Sequence, residues 1–264
     1  MTAETQAPVE QGVADRLAVR DVHASYDDLP VLDGIDLQAA PGEFVSILGP
    51  SGSGKSTLFN VLTGGLRADR GEVLVDGSPL DEHGRHFAFM PQQDALLPWR
   101  RIIDNLTLGL EVQGTSRRRA RDQVRPLLPT FGLEEFERSY PFQLSGGMRQ
   151  RAALLRTVAQ GRDVLLLDEP FGALDALTRA DMQRWLQQVW QEFRWTVVLI
   201  THDVREAVFL SDRIYVLSPR PARVETVVEV PLPRPRTVDS LTDPAFAAIE
   251  ATLLHSLLGG GRHG

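Results

Sequence analysis

The sequence predicts an α/β fold with a mostly parallel sheet, and three observations carry that expectation. Val164-Leu165-Leu166-Leu167 and Thr196-Val197-Val198-Leu199-Ile200 have the length and composition of strands buried on both faces. A helical stretch from about 177 to 193 separates them, as a parallel crossover requires. Upstream, the β-rich run Phe44-Val45-Ser46-Ile47-Leu48 feeds a glycine-rich loop that opens directly into a helical pattern over 56–62.

Taken in order, residues 1–14 are polar and aperiodic and are expected to form a mobile tail. From Arg16 to Leu48 strands alternate with turns: Gly34-Ile35-Asp36-Leu37-Gln38 has period two, and Pro41-Gly42 marks a turn. Gly71 to Gly77 reads as another turn-bounded strand. From Asp94 to Gln160 the spacing becomes helical, with Ala120, Val124, Leu127, Leu128 and Phe131 on one face. Pro126 and Pro129 blur where that helix ends. Trp185, Trp190 and Phe193 on the later helix are expected to pack internally, since exposed aromatics need a partner. A last helix is expected over 244–258, and no internal repeat is visible.

Composition narrows the function classes. The 264 residues suffice for one large domain or a core with a subdomain, and 42% hydrophobic with 24% charged residues is ordinary for a globular protein. No apolar run approaches the ~18–20 residues of a membrane span. The start of the chain lacks a basic segment followed by an apolar one, so no export signal is expected. With no cysteine, disulfides and thiolate metal sites are excluded. A net charge of -7 argues against nucleic acid as a partner. The basic run Arg117-Arg118-Arg119-Ala120-Arg121 reads as a solvated helix face in preference to a phosphate- or lipid-binding patch.

Two segments carry recognisable chemistry. Gly49-Pro50-Ser51-Gly52-Ser53-Gly54-Lys55-Ser56 fits the phosphate-loop pattern with a strand before it and a helix after it. Its glycines let backbone N–H groups approach phosphate oxygens, and the helix start aims its positive end at the same anion. Lys55 would reach the β- and γ-phosphates, Ser56 would hold Mg²⁺, and Thr57 would help seat the phosphates. The apolar run ending in Asp168-Glu169 delivers two carboxylates to the end of a strand, where ligands bind in α/β sheets. Asp168 fits the carboxylate that helps hold Mg²⁺.

A third segment, Leu144-Ser145-Gly146-Gly147-Met148-Arg149-Gln150, lies between these two and narrows the family. With it, the chain resembles the ATP-binding cassette (ABC) ATPases. The resemblance implies a P-loop NTPase (RecA-like) core with N-terminal antiparallel β elements and an inserted helical subdomain. It divides the chain into a cassette over 15–236, with core 15–91 and 164–225 and helical subdomain 92–163, followed by an extension over 237–264. It implies that Glu169 is the general base, that His202 contacts the γ-phosphate, and that Gln92 touches Mg²⁺ and the attacking water. Gln93 is an adjacent alternative to Gln92, but Gln92 places the following Asp94-Ala95-Leu96-Leu97-Pro98-Trp99 where related sequences have it. Asp175 matches a segment that communicates across a dimer. Tyr26 falls where the family stacks an aromatic on adenine, although it could equally be an ordinary strand aromatic.

Ser145 and Gly147, with a helix start at Met148, would face outward and complete the ATP site of a second copy. The 94–99 segment resembles that of nitrate/sulfonate/taurine-type importers. Met90-Pro91-Gln92 and the run from Met148 to Thr157 are closer still to cassettes of the thiamine-precursor pyrimidine branch. Ser218-Pro219-Arg220-Pro221-Ala222-Arg223 and Pro231-Leu232-Pro233-Arg234-Pro235-Arg236 also resemble this importer type. The implied assembly is a homodimer with ATP and Mg²⁺, peripheral on the cytoplasmic face of the cell membrane. It would be bound to a separate permease and served indirectly by a solute-binding protein. A DNA-repair cassette would carry long coiled coils or zinc modules, which the sequence lacks. A small-molecule kinase would exclude water, whereas Glu169 is there to activate it.

Overall fold

The computed structural model describes residues 15–80 and 86–259; the expected tail over 1–14 lies outside them. Three stretches build the first layer: β1 (Leu17–Tyr26), β2 (Leu29–Ala39) and, after the intervening β3 (Phe44–Leu48) and α1 (Lys55–Leu62), β4 (Arg70–Val75) with the short β5 (Ser78–Pro79). These form a four-stranded antiparallel sheet in the order β2-β1-β4-β5. The period-two pattern of 34–38 is realised in β2, where Ile35 and Leu37 are buried and Asp36 and Gln38 exposed.

The second sheet holds the buried apolar runs. It comprises β3, β6 (Phe87–Met90), β7 (Val164–Asp168), β8 (Thr196–Ile200), β9 (Arg213–Leu217) and β10 (Val224–Glu229). The order is β10-β9-β3-β8-β7-β6, parallel throughout except for the antiparallel β9–β10 pair. All five residues of β3 and of β8 are buried, as a strand covered on both faces requires. Alternation sorts the side chains between two cores. Val45, Ile47, Leu166, Val198 and Ile200 face α1 and the antiparallel sheet. Phe44, Leu48, Leu165, Leu167, Val197 and Leu199 face the helices.

The helical insertion contains α2 (Ile102–Leu106), α3 (Leu108–Val112), α4 (Arg117–Val124), α5 (Leu128–Phe131) and α6 (Gly146–Val158). The single face expected over 120–131 is divided into α4, a tight turn over Arg125–Leu127 and α5, with Pro126 and Pro129 at the first turns of the latter two. Ala120, Val124, Leu128 and Phe131 are nonetheless all buried. Arg121 pairs with Asp104 and Arg117 with Glu111, so the basic run is in part an ion-paired helix face.

The chain closes with α7 (Ala176–Phe193), α8 (Val204–Leu210) and α9 (Pro244–Gly259). Trp190 is buried and Trp185 packs edge-on to Phe131 at 5.3 Å, so these aromatics are packing residues. The C-terminal helix docks on the core through Phe246 and Leu253 and through an Arg205–Glu250 ion pair at 2.9 Å.

The strap leading to α9 is held by two arginines. Arg234 lies 4.3 Å from the Trp190 ring centroid and pairs with Asp212 at 2.8 Å. Arg236 is only 2% exposed. Its Nη1 donates to the carbonyls of Val208, Phe209 and Ser211 at 2.8, 3.2 and 2.6 Å, and its Nη2 to those of Val230 and Leu232 at 3.1 and 3.3 Å. Burial pulls its pKa down to about 10, with the nearby Arg234 adding to the effect. Replacing Arg236 with Met fills much of the volume but strands these carbonyls. Each buried unpaired group costs about 1–3 kcal/mol, so Arg236→Met should lower the urea unfolding midpoint by the equivalent of at least ~3 kcal/mol.

Candidate nucleotide-binding site

Strand register assembles this site. Met90 pairs with Leu167, and Asp168 pairs with Ile200. Two residues beyond the β6–β7 pair, Gln92 and Glu169 therefore leave neighbouring strands together. Thr201 and His202 leave β8 beside them, and Ile47 of β3 pairs with Ile200. Every functional segment here is a continuation of a buried parallel strand past its carboxyl end.

The loop from Gly49 leads into α1, whose N-cap Gly54 has φ 111° and supplies no side-chain cap. A side chain at Gly54 would be strained, and its Cβ would come within 2.9 Å of Val31. The first N–H groups of α1 have no partner within the helix and are available to an anion. Lys55 is buried, and its Nζ donates to the carbonyls of Gly49 and Pro50 at 2.8 and 2.9 Å. Burial lowers its pKa, while the carboxylates of Glu169 and Asp168 raise it.

Opposite stand the strand-end carboxylates. Burial raises the Asp168 pKa to about 6, Glu169 adds to the shift and Lys55 opposes it. Glu169 has φ 42°, the left-handed region that costs a non-glycine residue about 1–3 kcal/mol. Its N–H donates to the carbonyl of Ile200 at 2.9 Å, which holds that turn. Its Oε2 accepts from Gln92 Nε2 at 3.1 Å and lies 3.1 Å from His202 Nδ1. Three side chains from three strands thus meet at one carboxylate oxygen.

These groups line one open cleft of about 490 Å³, with Ser51, Gly52, Gly54, Lys55, Ser56 and Thr57 on one side and Gln92, Glu169 and His202 on the other. Gly49, Pro50 and Ser53 form the loop behind it, and Asp168 lies beside Lys55. A wall residue missed by the sequence reading is Arg220, whose Nε and Nη2 donate to the carbonyl of Gly52 at 3.2 and 2.9 Å. It was read only as part of a resembling segment, since nothing local announces a contact reaching back 168 positions.

Besides Gly49, Pro50, Ser53 and Asp168 next to it, four further expected site residues do not line this cleft: Tyr26, Ser145, Gly147 and Asp175. Tyr26 ends β1, 46% exposed, its hydroxyl accepting from Asn60 Nδ2 at 3.2 Å. Ser145 is exposed and caps α6, its Oγ accepting from Met148 N at 3.3 Å. The helix starts at Gly146, not at Met148, because the Ser145 cap sets the boundary two residues earlier. Gly147 packs under α7, where an added Cβ would lie 3.0 Å from Thr178. Asp175 caps α7, accepting from the N–H groups of Leu177 and Thr178 at 3.1 Å.

Comparison with known proteins decides the family. The ABC transporter family profile matches residues 32–172. The chain belongs to the ABC transporter family. This cassette is 42% identical over 246 residues to the taurine import ATP-binding protein TauB of Chromobacterium violaceum, covering 91% of this chain and 93% of that protein. It is 45% identical over 243 residues to the aliphatic sulfonates import ATP-binding protein SsuB 2 of Xanthomonas axonopodis pv. citri, covering 92% of this chain and 80% of that one. Among solved structures, the cassette matches cbiO1 from Clostridium perfringens, part of the ABC transporter complex cbiONQ, with a TM-score of 0.74. Identity there is 26%, covering 82% of this chain and 89% of that one. It also matches the dimeric structure of the bacterial ABC transporter cassette MJ0796, with a TM-score of 0.69 and 31% identity, covering 81% of this chain and 98% of that one. The same cassette was solved in a post-hydrolysis state bound to ADP and Pi.

The raised Asp168 pKa has a measurable consequence for the cassette. A folded value of about 6 against 3.8 means that Asp168 favours folding fully below pH 3.8, and that this contribution is lost as pH rises through 6. A cation bound at Asp168 reverses that shift. If magnesium–nucleotide places its cation at Asp168, binding near pH 6 should release about half a proton from this position in the wild type and none in Asp168→Asn. Calorimetry in buffers of different ionisation enthalpy measures the difference.

Proposed function

We propose that this cassette is the ATP-hydrolysing subunit of an importer for a small organic or anionic solute, working on a separate membrane permease. The observation that carries the reading is the meeting of Gln92, Glu169 and His202 beside an uncapped phosphate loop. In this reading Lys55 and the α1 N–H groups hold the β- and γ-phosphates, with Thr57 and the loop residues 49–56 around them. Glu169 takes the proton from a water that attacks the γ-phosphate, giving ADP and phosphate. Gln92 and His202 fix the carboxylate and orient the water. Mg²⁺ suits the hard oxygen donors of Ser56, Asp168 and Gln92, and the incompletely compensated Asp168 fits a cation. When bound, it neutralises phosphate charge.

The positions of Ser145 and Gly147, away from the cleft, support a two-copy site. The Ser145 hydroxyl accepts from its own helix and keeps its proton for an outside acceptor. A second copy, related by a two-fold axis, would bring its ATP there, with Asp175 near the junction and Tyr26 against adenine. The dimeric MJ0796 cassette supports this arrangement. The nucleotide state then sets whether the pair is open or closed. Arg149 pairs with Asp94 at 3.1 Å and Arg156 donates to the carbonyls of Ala95 and Asp94 at 2.6 and 2.7 Å, tying α6 to the segment after Gln92. That linkage gives the γ-phosphate a route into the helical subdomain.

Among the described residues, no helix is long and apolar enough to cross a membrane. The helical region exposes Trp99 and Phe142, apolar surface of the kind a permease would cover. The importer assignment draws on relatives named for taurine and aliphatic sulfonate import. The place of work would then be the inner face of the membrane.

Glu169→Gln should lower the ATPase rate by about 10²–10⁴-fold while ATP still binds. It should also accumulate an ATP-dependent dimer on size exclusion; turnover at the wild-type rate refutes the base assignment. Co-purification of the tagged chain from native membranes in mild detergent should recover a multi-span permease, identified by mass spectrometry. Recovery of soluble or nucleic-acid-bound partners alone would overturn the transport reading and leave the ATPase intact.

A further inference from the structure

The phosphate loop faces a cation that its own motif does not supply. Arg220 lies in the turn between β9 and β10, exposed on the wall of the nucleotide cleft, and its guanidinium is held on the Gly52 carbonyl by two hydrogen bonds. The nearest arginines in sequence are ion-paired, Arg213 with Glu43 and Glu229 and Arg223 with Asp33, as is Arg234 with Asp212, while Arg236 is buried on carbonyls outside the loop. Among the described residues Arg220 has no carboxylate partner. Its acceptor is a neutral carbonyl, so its charge is uncompensated and most of its five N–H donors stay unused.

The cleft needs that charge. Lys55 already shares its surroundings with Asp168 and Glu169, whose carboxylates offset its charge. A magnesium-bound triphosphate brings more negative charge than Lys55 can cancel beside two carboxylates. Lys55 itself rests on the carbonyls of Gly49 and Pro50, the same kind of neutral acceptor that holds Arg220. Both cations of the cleft are thus kept in place by the loop's own backbone and can exchange carbonyl contacts for phosphate contacts without breaking an ion pair.

We propose that Arg220 is a nucleotide-binding residue that pairs with the polyphosphate chain of bound ATP, a contribution of β9–β10 to a site otherwise built from the loop and the strand ends. The proposal rests on the reading of this cleft as the ATP site. A guanidinium matches two phosphate oxygens at once, and its contact survives in a cleft open to water because both partners are charged.

The test separates the charge from the tether. Gln at position 220 can still donate to the Gly52 carbonyl but carries no charge, whereas Lys keeps the charge. Binding of magnesium–ATP to the full chain is measured by calorimetry for wild type, Arg220→Lys, Arg220→Gln and Arg220→Ala, with unchanged thermal midpoints as the folding control. Arg220→Gln and Arg220→Ala should each weaken ATP about tenfold, the effect of one lost charge-assisted hydrogen bond, and Arg220→Lys, which keeps the charge but loses the two-oxygen match, should fall between wild type and Arg220→Gln. The gap between wild type and Arg220→Gln should shrink as salt is raised. Wild-type affinity in Arg220→Gln would reduce Arg220 to a tether for Gly52 and overturn the proposal, as would an Arg220→Lys that binds no better than Arg220→Gln. A wild-type chain that binds no ATP at all would instead overturn the nucleotide reading, a result distinct from losses confined to position 220.

Discussion

An unmet need for negative charge at the start of α1 organises this molecule. The helix begins at a left-handed glycine that offers no capping side chain, at the end of the short loop that leaves a fully buried strand, so its first N–H groups have nothing from the chain to receive them. Everything else at the site is arranged around that deficit. The parallel sheet brings the ends of β6, β7 and β8 to the same edge as β3, and the carboxylates they carry stand across from the loop instead of filling it. The loop's own lysine deepens that deficit, because its positive charge rests only on neutral carbonyls of the same loop.

The strand-end cluster shows the cost of such an arrangement. Glu169 adopts a backbone conformation that a glycine would take more easily, and Asp168 is buried enough to hold its proton well above the usual carboxylate range. Neither feature stabilises the fold. Both are held in place by the surrounding sheet, where β7 and β8 pair without a break from Val164 to Asp168. Strain and desolvation gathered at one edge of an otherwise regular sheet mark where the chemistry is.

Local chemistry was legible in the sequence, and long-range geometry was not. The loop 49–56, the pair Asp168-Glu169 and the segment 144–150 announce themselves because each depends on neighbours within a few positions, although the cap at Ser145 and the helix start at Gly146 were not read from it. The buried runs that became β3, β7 and β8 were equally plain, since burial on both faces leaves a continuous apolar signature. Register left no such trace: nothing in the sequence states that Met90 pairs with Leu167, although that pairing brings Gln92 to Glu169. Arg220 was passed over for the same reason. The stop and restart of helix around Pro126 and Pro129 was half visible, because a proline at a first turn begins a helix as readily as it ends one. The docking of α9 could not be read, because its faces are nearly equally apolar and only the tertiary context selects Phe246 and Leu253.

The buried guanidinium of Arg236 also sets an order of events during synthesis. The carbonyls at the end of α8 and those after β10 find their donors in a residue that leaves the ribosome later than either element. Gln187 waits in the same way, its amide exchanging hydrogen bonds with the backbone of Arg236 from 49 positions upstream. The residues that line the nucleotide cleft all precede position 236 in the chain. The packing of α8, β10 and α7 against this strap can therefore be completed only once position 236 is available, after every residue of the nucleotide cleft.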